Sequence, residues 1–301
     1  DNNLYKIKNA DLATFEVLNS PYSSSIYFAK DKNNVYYQNK KIDGLVADGF
    51  EQIQSNFIKD RNGIYKFEED ENEKSLKITP INAKIDFKNL KELDWKYFGD
   101  DKNIYYFDEN DFKKLDNADV NSFKRIEYTS FFKDKNNVYY DGEKVEGIDM
   151  NSIEVISGMW IKDKNNVFYE GQKLKGISSD NFNYFDGGLS YETILFDKNG
   201  IYKFLKNEDN EKAVEIIRLD GKELDSKTLE RISSPLDSSD YFKDKNGVYF
   251  MDGKKFVKVN GADKDSFEVT ESGKYGKDKN NVYFEGKKLE GKKSKEFEKE
   301  N

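Results

Sequence analysis

FKDKNNVYYDGEKV, residues 132–145, contains the local pattern from which the whole chain is built. Val138–Tyr140 is a short β-favouring run, because β-branched and aromatic residues are enriched in strands. The run is preceded by Asp134–Asn137 and followed by Asp141-Gly142, and both flanking sequences are typical of turns. We therefore predict that each such stretch forms a small antiparallel meander of strands and tight turns.

Variants of the seven-residue motif DKNNVYY recur along the chain, and each begins with an aspartate. Successive copies start 29 to 47 residues apart, a spacing typical of tandem repeats of short structural units. A truncated copy, NNLYK, opens the sequence at Asn2. The full copies start at Asp31, Asp60, Asp100, Asp134, Asp163, Asp197, Asp244 and Asp278.

The fourth motif position is always Asn or Gly, the two residues that best tolerate a positive φ angle. This favours a type I turn closed by a residue in the left-handed (αL) conformation, with the leading aspartate capping the turn through its side chain. Asp-Gly and Glu-Gly pairs then predict a second hairpin turn. The predicted structural turn residues are Asp31, Asn34, Gly63, Asp134, Asn137, Asp163, Asn166, Gly200, Gly247 and Asn281.

A connector between the meanders also repeats, as in ADVNSFKRI from Ala118. Its aspartate is a good N-cap for one helical turn, and the apolar residue four positions later is expected to pin that turn to the meander. The connector aspartates are Asp11, Asp119, Asp149 and Asp263, and the apolar residues are Phe15, Phe123, Ile153 and Phe267.

The two aromatic positions of the motif are predicted to face opposite sides of the strand, since adjacent strand residues alternate. The first position is aromatic in every copy, so we expect it in the core. The second accepts Lys66 and Lys203, so we expect it to be at least partly exposed and to form a binding face. The alternative is that these rings pack against the neighbouring repeat. The candidate face is Tyr37, Tyr106, Tyr140, Tyr169, Phe250 and Phe284.

The predicted fold is all-β, a single array of about nine meander units over residues 1–301. Long acidic insertions follow the copies at Asp60 and Asp197, which indicates a duplicated four-repeat block, approximately 1–133 and 134–301. We interpret the insertions as solvated hairpin tips. Two architectures remain open: an elongated solenoid-like array, which the unmatched chain ends favour, and a closed β-propeller.

The composition limits the chemistry available to this chain. It contains no His and no Cys, which excludes Ser-His-Asp catalysis, thiol chemistry and disulfides. Its net charge of -8 argues against nucleic acid or anionic membranes as partners, and no segment has the ~20 apolar residues of a membrane span. The DKNN loops resemble calcium loops only superficially, because a turn accounts for every position and no bidentate Glu follows. We expect no metal and no cofactor. A carboxylate-dependent hydrolase is a less favoured alternative.

The recurring DKNNVYY motif and ADxxSFEVI connector resemble the DKNYY repeat family of bacterial proteins, over essentially the whole chain. The resemblance implies a secreted or cell-envelope location, with a leader that is absent from this sequence, and it implies no catalytic residues. We therefore expect a non-enzymatic, adhesin-like repeat protein that binds an unknown protein or glycan partner. The alternative is a structural spacer or stalk without a ligand of its own. The sequence indicates neither the oligomeric state nor the mode of anchoring.

Overall fold

The computed structural model confirms an all-β chain of tandem antiparallel meanders. Among the described residues, eight separate four-stranded sheets occur, each with its strands in sequential order, and a 3-10 turn, Met150–Ser152, lies between meanders 4 and 5. The truncated motif at Asn2 and most of both acidic insertions lie outside the described residues. The structure describes residues 6–19, 28–70, 75–81, 85, 87–108, 111–185, 193–206, 214–219, 224–234, 239–253, 255–270 and 273–294.

The first four meanders contain strands β1 to β16. Meander 1 consists of β1 (Glu16–Leu18), β2 (Phe28–Lys30), β3 (Val35–Tyr37) and β4 (Lys40–Lys41). Meander 2 consists of β5 (Glu51–Gln54), β6 (Phe57–Asp60), β7 (Gly63–Asp70) and β8 (Ser75–Ile81). Meander 3 consists of β9 (Lys91–Asp94), β10 (Tyr97–Gly99), β11 (Ile104–Asp108) and β12 (Asp111–Lys114). Meander 4 consists of β13 (Lys124–Arg125), β14 (Phe132–Lys133), β15 (Val138–Tyr140) and β16 (Glu143–Lys144).

The last four meanders contain strands β17 to β32. Meander 5 consists of β17 (Glu154–Ser157), β18 (Trp160–Lys162), β19 (Val167–Tyr169) and β20 (Gln172–Lys173). Meander 6 consists of β21 (Asn183–Phe185), β22 (Thr193–Asp197), β23 (Gly200–Lys206) and β24 (Val214–Arg218). Meander 7 consists of β25 (Glu230–Arg231), β26 (Tyr241–Asp244), β27 (Gly247–Met251) and β28 (Phe256–Lys258). Meander 8 consists of β29 (Glu268–Val269), β30 (Tyr275–Lys277), β31 (Asn281–Phe284) and β32 (Lys287–Lys293).

The chain divides into two compact units. Unit 1 is residues 1–145 with the turn 157–159, and unit 2 is residues 146–156 and 160–301. The approximate block boundary at 133/134 predicted above falls inside meander 4. That meander stays with unit 1 because its second turn hydrogen bonds to meander 3, where the Gly142 N–H donates to the Tyr97 hydroxyl at 3.0 Å. Whether the array is open or closed as a whole stays a prediction, which small-angle X-ray scattering tests.

The hydrophobic core is distributed over the junctions between meanders. Each described cluster of buried side chains joins two consecutive meanders of one unit, from meanders 1 and 2 to meanders 7 and 8. In one such cluster, Phe28 and Val35 of meander 1 pack with Phe50, Ile58 and Phe67 of meander 2. Burying one such side chain stabilises the fold by about 1.5–3 kcal/mol. A single meander cannot bury its own face, so each depends on its neighbour for stability.

The last strand of each meander lies at a sheet edge, and its composition suits that position. Lysines of these strands are exposed at Lys40, Lys41, Lys113, Lys114, Lys144 and Lys173. Short edge strands that carry lysine discourage pairing with the edge of another chain, because the lysine charges repel and must stay hydrated. The regular Lys-rich segment after each Val-Tyr-Tyr run is therefore explained by the many open edges of this architecture.

The backbone of the first turn differs from the sequence-based prediction. Left-handed φ angles occur instead in the second turn, at Asp141 (φ 46°) and Gly142 (φ 72°). The Asn at the fourth motif position is used for its side-chain amide, as Asn166 Nδ2 donates to both carboxylate oxygens of Asp163 at 3.2 Å. At Gly247, φ is 155°, outside the αL region. The αL prediction is thus wrong for Asn34, Gly63, Asn137, Asn166, Gly200, Gly247 and Asn281.

Candidate functional site

The motif aspartate is the centre of a local hydrogen-bond network, which we call the aspartate hub. In meander 4, Asp134 Oδ1 accepts the backbone N–H groups of Asn136 and Asn137, both at 2.7 Å. Its Oδ2 accepts the connector N–H of Asp119 at 2.7 Å and the hydroxyl of Tyr139 at 3.0 Å. One buried carboxylate thus fixes the first turn, the connector and the first aromatic ring together.

The hub recurs in both units, with the tyrosine hydroxyl on Oδ2 at Asp31, Asp100, Asp134 and Asp278 and on Oδ1 at Asp60 and Asp197. In meander 8, Asp278 Oδ1 accepts the N–H groups of Asn280 and Asn281 at 2.8 Å, and Oδ2 accepts the Tyr283 hydroxyl at 2.9 Å. A connector N–H also donates to Oδ2 at each of Asp31, Asp60, Asp163, Asp197, Asp244 and Asp278. The structural role of fixing the turn and the connector therefore accounts for an aspartate at this position in every repeat.

The second motif residue, lysine, completes the connection to the connector. Lys135 pairs with Asp119 at 2.6 Å, and its backbone N–H donates to the Ser122 hydroxyl at 3.0 Å. Asp119 in turn caps the connector turn by accepting the Ser122 N–H at 3.1 Å. The same pairing of motif lysine and connector aspartate occurs at Lys32–Asp11, Lys164–Asp149, Lys245–Asp225 and Lys279–Asp263.

The hub carboxylates are filled by donors, which leaves little for a cation to bind. Burial raises the pKa of Asp31, but hydrogen bonds from the Tyr36 hydroxyl and three backbone N–H groups outweigh burial and lower that pKa well below its usual range. A calcium ion would need these oxygens free, yet they face N–H and O–H hydrogens. In the part of the chain that the structure describes, no group of three or more acidic residues is arranged to hold a metal ion.

The first aromatic ring of the motif lies in the core in seven of the eight full copies, the exception being the half-buried Tyr65. Tyr36, Tyr139 and Tyr283 are almost fully buried, and their hydroxyls donate to the hub aspartate of the same meander. Burial, then the hydrogen bond that the hydroxyl donates to Asp134, and then the Asp134 charge raise the pKa of Tyr139 to about 12, because each disfavours the phenolate. Meander 5 has Phe168 at this position, so its Asp163 lacks a hydroxyl donor from that ring.

The second aromatic ring, predicted above to form an exposed binding face, is buried in three of six copies. Tyr37, Tyr106 and Phe250 are 5%, 4% and 8% exposed. Tyr106 lies against the second turn of the next meander, and its hydroxyl donates to Asp141 at 3.0 Å. The expectation of exposure is wrong for these three residues, and the alternative given above, packing against the neighbouring repeat, is confirmed for them.

The other three members of the predicted face are half-buried rather than exposed. Tyr169 packs edge-on against Phe204 of the next meander, with ring centroids 4.9 Å apart. The half-buried ring of Phe284 packs on a ring of its own meander, 4.6 Å from Tyr275, and half-buried Tyr140 lies 5.0 Å from Phe131. The structure does not bring the six rings together as one open surface.

A different set of apolar side chains is exposed in unit 1, and we call it the turn ridge. It consists of Leu93, Trp95, Tyr128 and Met159, which lie in or beside the turns between the first and second strands of meanders 3, 4 and 5. Tyr128 is 90% exposed and Trp95 is 47% exposed. Large aromatic side chains at such exposure are unusual, because each leaves substantial apolar area in water.

Two members of the turn ridge also have unusual backbone conformations. Trp95 (φ 49°) and Tyr128 (φ 62°) are left-handed, a region that bulky side chains rarely adopt. The other left-handed residues of the described chain are Gly, Asn or other polar residues, as at Asn117 (φ 60°), Asn181 (φ 55°) and Glu170 (φ 47°). The aromatic choice at 95 and 128 is therefore not explained by the turn geometry. Backbone strain of this kind is enriched at functional sites.

Polar contacts join the turns of the ridge in sequence order. Gln54 of meander 2 donates through Nε2 to the Trp95 carbonyl at 2.7 Å. Arg125 of meander 4 pairs with Asp94 at 2.8 Å, and the Ser130 N–H donates to the Gly158 carbonyl at 2.8 Å. These contacts connect the neighbouring turns that carry Trp95, Tyr128 and Met159.

Sequence reasoning missed the turn ridge because it compared only the motif and connector. Trp95 and Tyr128 lie between these two, where copies differ from one another. Asp94-Trp95-Lys96 reads as an ordinary turn beside a strand, and nothing in its periodicity indicates exposure of the Trp. The available signal was the position itself, since an aromatic residue between the strand-forming runs has no repeat-wide structural role.

Together these features define a tandem β-meander protein in which the motif aspartate organises each repeat and is buried in seven of the eight described copies. The chain belongs to the DKNYY family, whose model matches residues 1–143, 136–287 and 241–299. The overlap of the three matches fits a repeat family. No curated protein and no solved structure matches the chain. Among the described residues, none forms a helix with the length and apolar character needed to cross a membrane.

Proposed function

We propose that this chain is a non-catalytic, adhesin-like repeat protein of the bacterial cell envelope or exterior that presents the turn ridge to a partner. The observation that carries the proposal is the pair Trp95 and Tyr128, exposed aromatic residues with left-handed φ angles, where the other left-handed residues of the described chain are Gly, Asn or polar residues such as Gln38 and Glu170. The binding face is thereby moved from the second motif ring to the turns of unit 1.

The use of the acidic residues supports a non-catalytic role. The recurring aspartates hold turns and connectors, with donors on both oxygens, as at Asp134 and Asp278. A catalytic carboxylate pair needs at least one group that reaches substrate with a pKa suited to proton transfer. The chain also lacks His, the commonest general base.

Binding assays with the purified chain test the proposal. The chain is titrated against arrays of purified extracellular-matrix proteins and of glycans, and the Trp95→Asn/Tyr128→Asn double variant is run in parallel. We expect saturable binding that the double variant loses. A spacer or stalk would give no saturable binding on any array, and a hydrolase would release product from a polysaccharide or peptidoglycan panel.

The proposed location is tested on the bacterium that makes the protein. Antibodies against the chain are applied to intact cells, permeabilised cells and culture medium. Labelling of intact cells or recovery from the medium is expected. Recovery only from the cytoplasmic fraction would contradict an envelope or secreted location and would leave the binding experiment unaffected.

A further inference from the structure

We propose that Asn260 is a site of spontaneous deamidation, and that its isoaspartyl product loosens the junction between meanders 7 and 8. The inference does not depend on the proposed binding function. It follows from the chemistry of an Asn-Gly pair, from the hydrogen bonds of the four such pairs in the chain, and from the place of residue 260 at a junction.

The reaction uses the side chain of the asparagine and the backbone nitrogen of the residue that follows. The Gly261 nitrogen attacks the carbonyl carbon of the Asn260 side chain, the amino group leaves as ammonia with the proton of that nitrogen, and the new C–N bond closes a succinimide ring. Water then opens the ring at either carbonyl, which gives aspartate or isoaspartate. Glycine favours the attack because it has no Cβ to hinder the approach of its nitrogen.

The chain contains an internal comparison for this reaction. Four Asn-Gly pairs occur in the sequence, and three of them, which we call the motif pairs, lie in the first turn of a meander. A carboxylate that accepts an N–H opposes loss of its proton, because the resulting anion would lie against a negative charge. In each motif pair the glycine N–H donates to Oδ1 of the hub aspartate at 3.0–3.2 Å: Gly63 to Asp60, Gly200 to Asp197 and Gly247 to Asp244.

The pair at residues 260 and 261 lies in a different environment. It forms the turn between the last strand of meander 7 and the next connector, closed by the Ala262 N–H, which donates to the Val259 carbonyl at 3.2 Å. Both residues of the pair are exposed. In the described part of the chain, no carboxylate accepts the Gly261 N–H, and a Cβ on Gly261 would meet nothing within 4 Å. The Gly261 nitrogen is therefore open to attack by way of the Asn260 side chain.

The turn is held at the junction on both sides, so a change in its main chain has consequences. Val259 is buried in the cluster that joins meanders 7 and 8. The Gly261 carbonyl accepts the Tyr283 hydroxyl at 3.1 Å, and the Asp263 N–H donates to Asp278 at 3.1 Å. Isoaspartate inserts one methylene group into the main chain, so the turn can no longer keep all these contacts together. The aspartate product leaves the main chain unchanged.

The test incubates the full chain in mildly alkaline buffer and follows it by peptide mapping with mass spectrometry. Deamidation replaces an amino group by a hydroxyl and changes the peptide mass, and a carboxyl methyltransferase specific for isoaspartate labels that product. The matched control is Asn260→Lys, because Lys175 precedes a left-handed glycine in the corresponding turn of meander 5. Asn260→Asp reproduces the aspartate product, and Asp43 is its counterpart in meander 1.

We expect deamidation at Asn260 to be about tenfold or more faster than at the motif pairs, where the glycine N–H must first give up a charge-assisted hydrogen bond. Urea unfolding of the aged chain should reveal a second population with a lower midpoint, in the proportion of isoaspartate found at residue 260. Asn260→Lys aged in parallel should lack that population, and fresh Asn260→Asp should unfold with the wild-type midpoint.

The contrary outcomes are distinct from one another. Deamidation at the motif pairs that equals or exceeds that at residue 260, or none at residue 260, would overturn the assignment of the site. Isoaspartate at residue 260 without a less stable population would overturn the loosening of the junction. Each result would leave the proposed binding function standing, because the turn ridge lies in other meanders.

Discussion

The junction between meanders 3 and 4 in unit 1 and the junction between meanders 7 and 8 in unit 2 share one buried geometry. In unit 1 the Gly142 N–H donates to the Tyr97 hydroxyl at 3.0 Å, and in unit 2 the Gly286 N–H donates to the Tyr241 hydroxyl at 3.0 Å. The ring of the second motif position lies 5.1 Å from that tyrosine in unit 1 and 5.0 Å in unit 2. The buried contacts of the two junctions are thus nearly identical.

The surfaces of the two units are not repeated in the same way. Unit 1 exposes Trp95 and Tyr128 at its turns, whereas the large apolar residues exposed in the described part of unit 2 lie on strands, at Val155, Ile217 and Val257. In a repeat protein, residues that recur at equivalent positions are explained by packing, and residues that differ are the candidates for function. The following predictions test whether the interiors are equivalent and whether the difference lies only at the surface.

Acidification is expected to give the largest effect, because hubs of both units contribute together. Burial raises the pKa values of Asp31, Asp100, Asp163 and Asp278, but hydrogen bonds outweigh burial and lower them. A carboxyl whose folded pKa lies below its unfolded value of about 3.9 stabilises the fold above that pH. The free energy of unfolding should therefore fall steadily as pH drops below about 4.

Urea unfolding between pH 7 and pH 2.5 measures this dependence. Two of the four aspartates lie in each unit, Asp31 and Asp100 in unit 1 and Asp163 and Asp278 in unit 2. We expect near-UV and tyrosine signals from both units to be lost over the same pH range. A urea midpoint that stays constant below pH 4 would show that the hubs do not stabilise the fold as described.

Replacing a single hub aspartate should have the largest effect of any point substitution. In Asp134→Asn and Asp278→Asn, one oxygen becomes an amide donor that faces existing N–H or O–H donors. Loss of charge-assisted hydrogen bonds in a buried site should reduce the free energy of unfolding by about 4 kcal/mol. The surface variant Asp43→Asn is the control, expected within about 0.5 kcal/mol of wild type. Clearly unequal effects at 134 and 278 would show that the two hubs are not equivalent.

The glycine of the second turn should be the next most sensitive position. A Cβ at Gly142 would lie 2.5 Å from the Tyr106 ring, and a Cβ at Gly286 would lie 2.6 Å from Phe250 Cβ. Because the Cβ would overpack the ring and the φ angle is left-handed, Gly142→Ala and Gly286→Ala should each lower the free energy of unfolding by about 3 kcal/mol.

Two other glycines separate the clash from the backbone effect. Gly44 (φ 89°) and Gly261 (φ 79°) are also left-handed, but a Cβ there would meet nothing within 4 Å. Their Ala variants should lower the free energy of unfolding by only about 1 kcal/mol, the effect of the strained backbone alone. Chemical denaturation gives all four values, and an equal cost at the open and the crowded glycines would mean that the meanders are not packed as closely as described.

The tyrosine hydroxyl at each junction should contribute less than the glycine. Tyr97→Phe and Tyr241→Phe leave the N–H of Gly142 or Gly286 without its acceptor, which should cost about 1.5 kcal/mol. The Tyr241 hydroxyl also donates to the Lys274 carbonyl at 3.1 Å, so the loss in unit 2 should be slightly greater. Denaturant midpoints at constant m-value measure both. A change below 0.5 kcal/mol in both variants would contradict a structural role for the hydroxyl.

The sequence predicted the features that depend on neighbours along the chain. Local preferences of single residues predicted the strand runs, the capping aspartates and the connector turn, as at Asp119. The same motifs gave the resemblance to the family. The αL assignment failed because Asn and Gly suit that conformation in general, whereas here the Asn166 amide binds Asp163. Strand alternation alone did not predict the burial of Tyr106 and Phe250, because it depends on the next meander; the alternative of packing against the neighbouring repeat describes both rings.

The smallest expected effect concerns stability at the turn ridge. Trp95→Asn replaces a strained aromatic residue by one that tolerates the left-handed turn, so the free energy of unfolding should stay unchanged or rise by up to about 1 kcal/mol. Asn117→Ala, at φ 60° in the same unit, should instead lower the free energy of unfolding by about 1 kcal/mol, because Ala tolerates the left-handed conformation less well than Asn. If Trp95→Asn destabilised the fold by more than 1 kcal/mol, its ring would be part of the packing. The difference between the two units would then lie in the interior as well as at the surface.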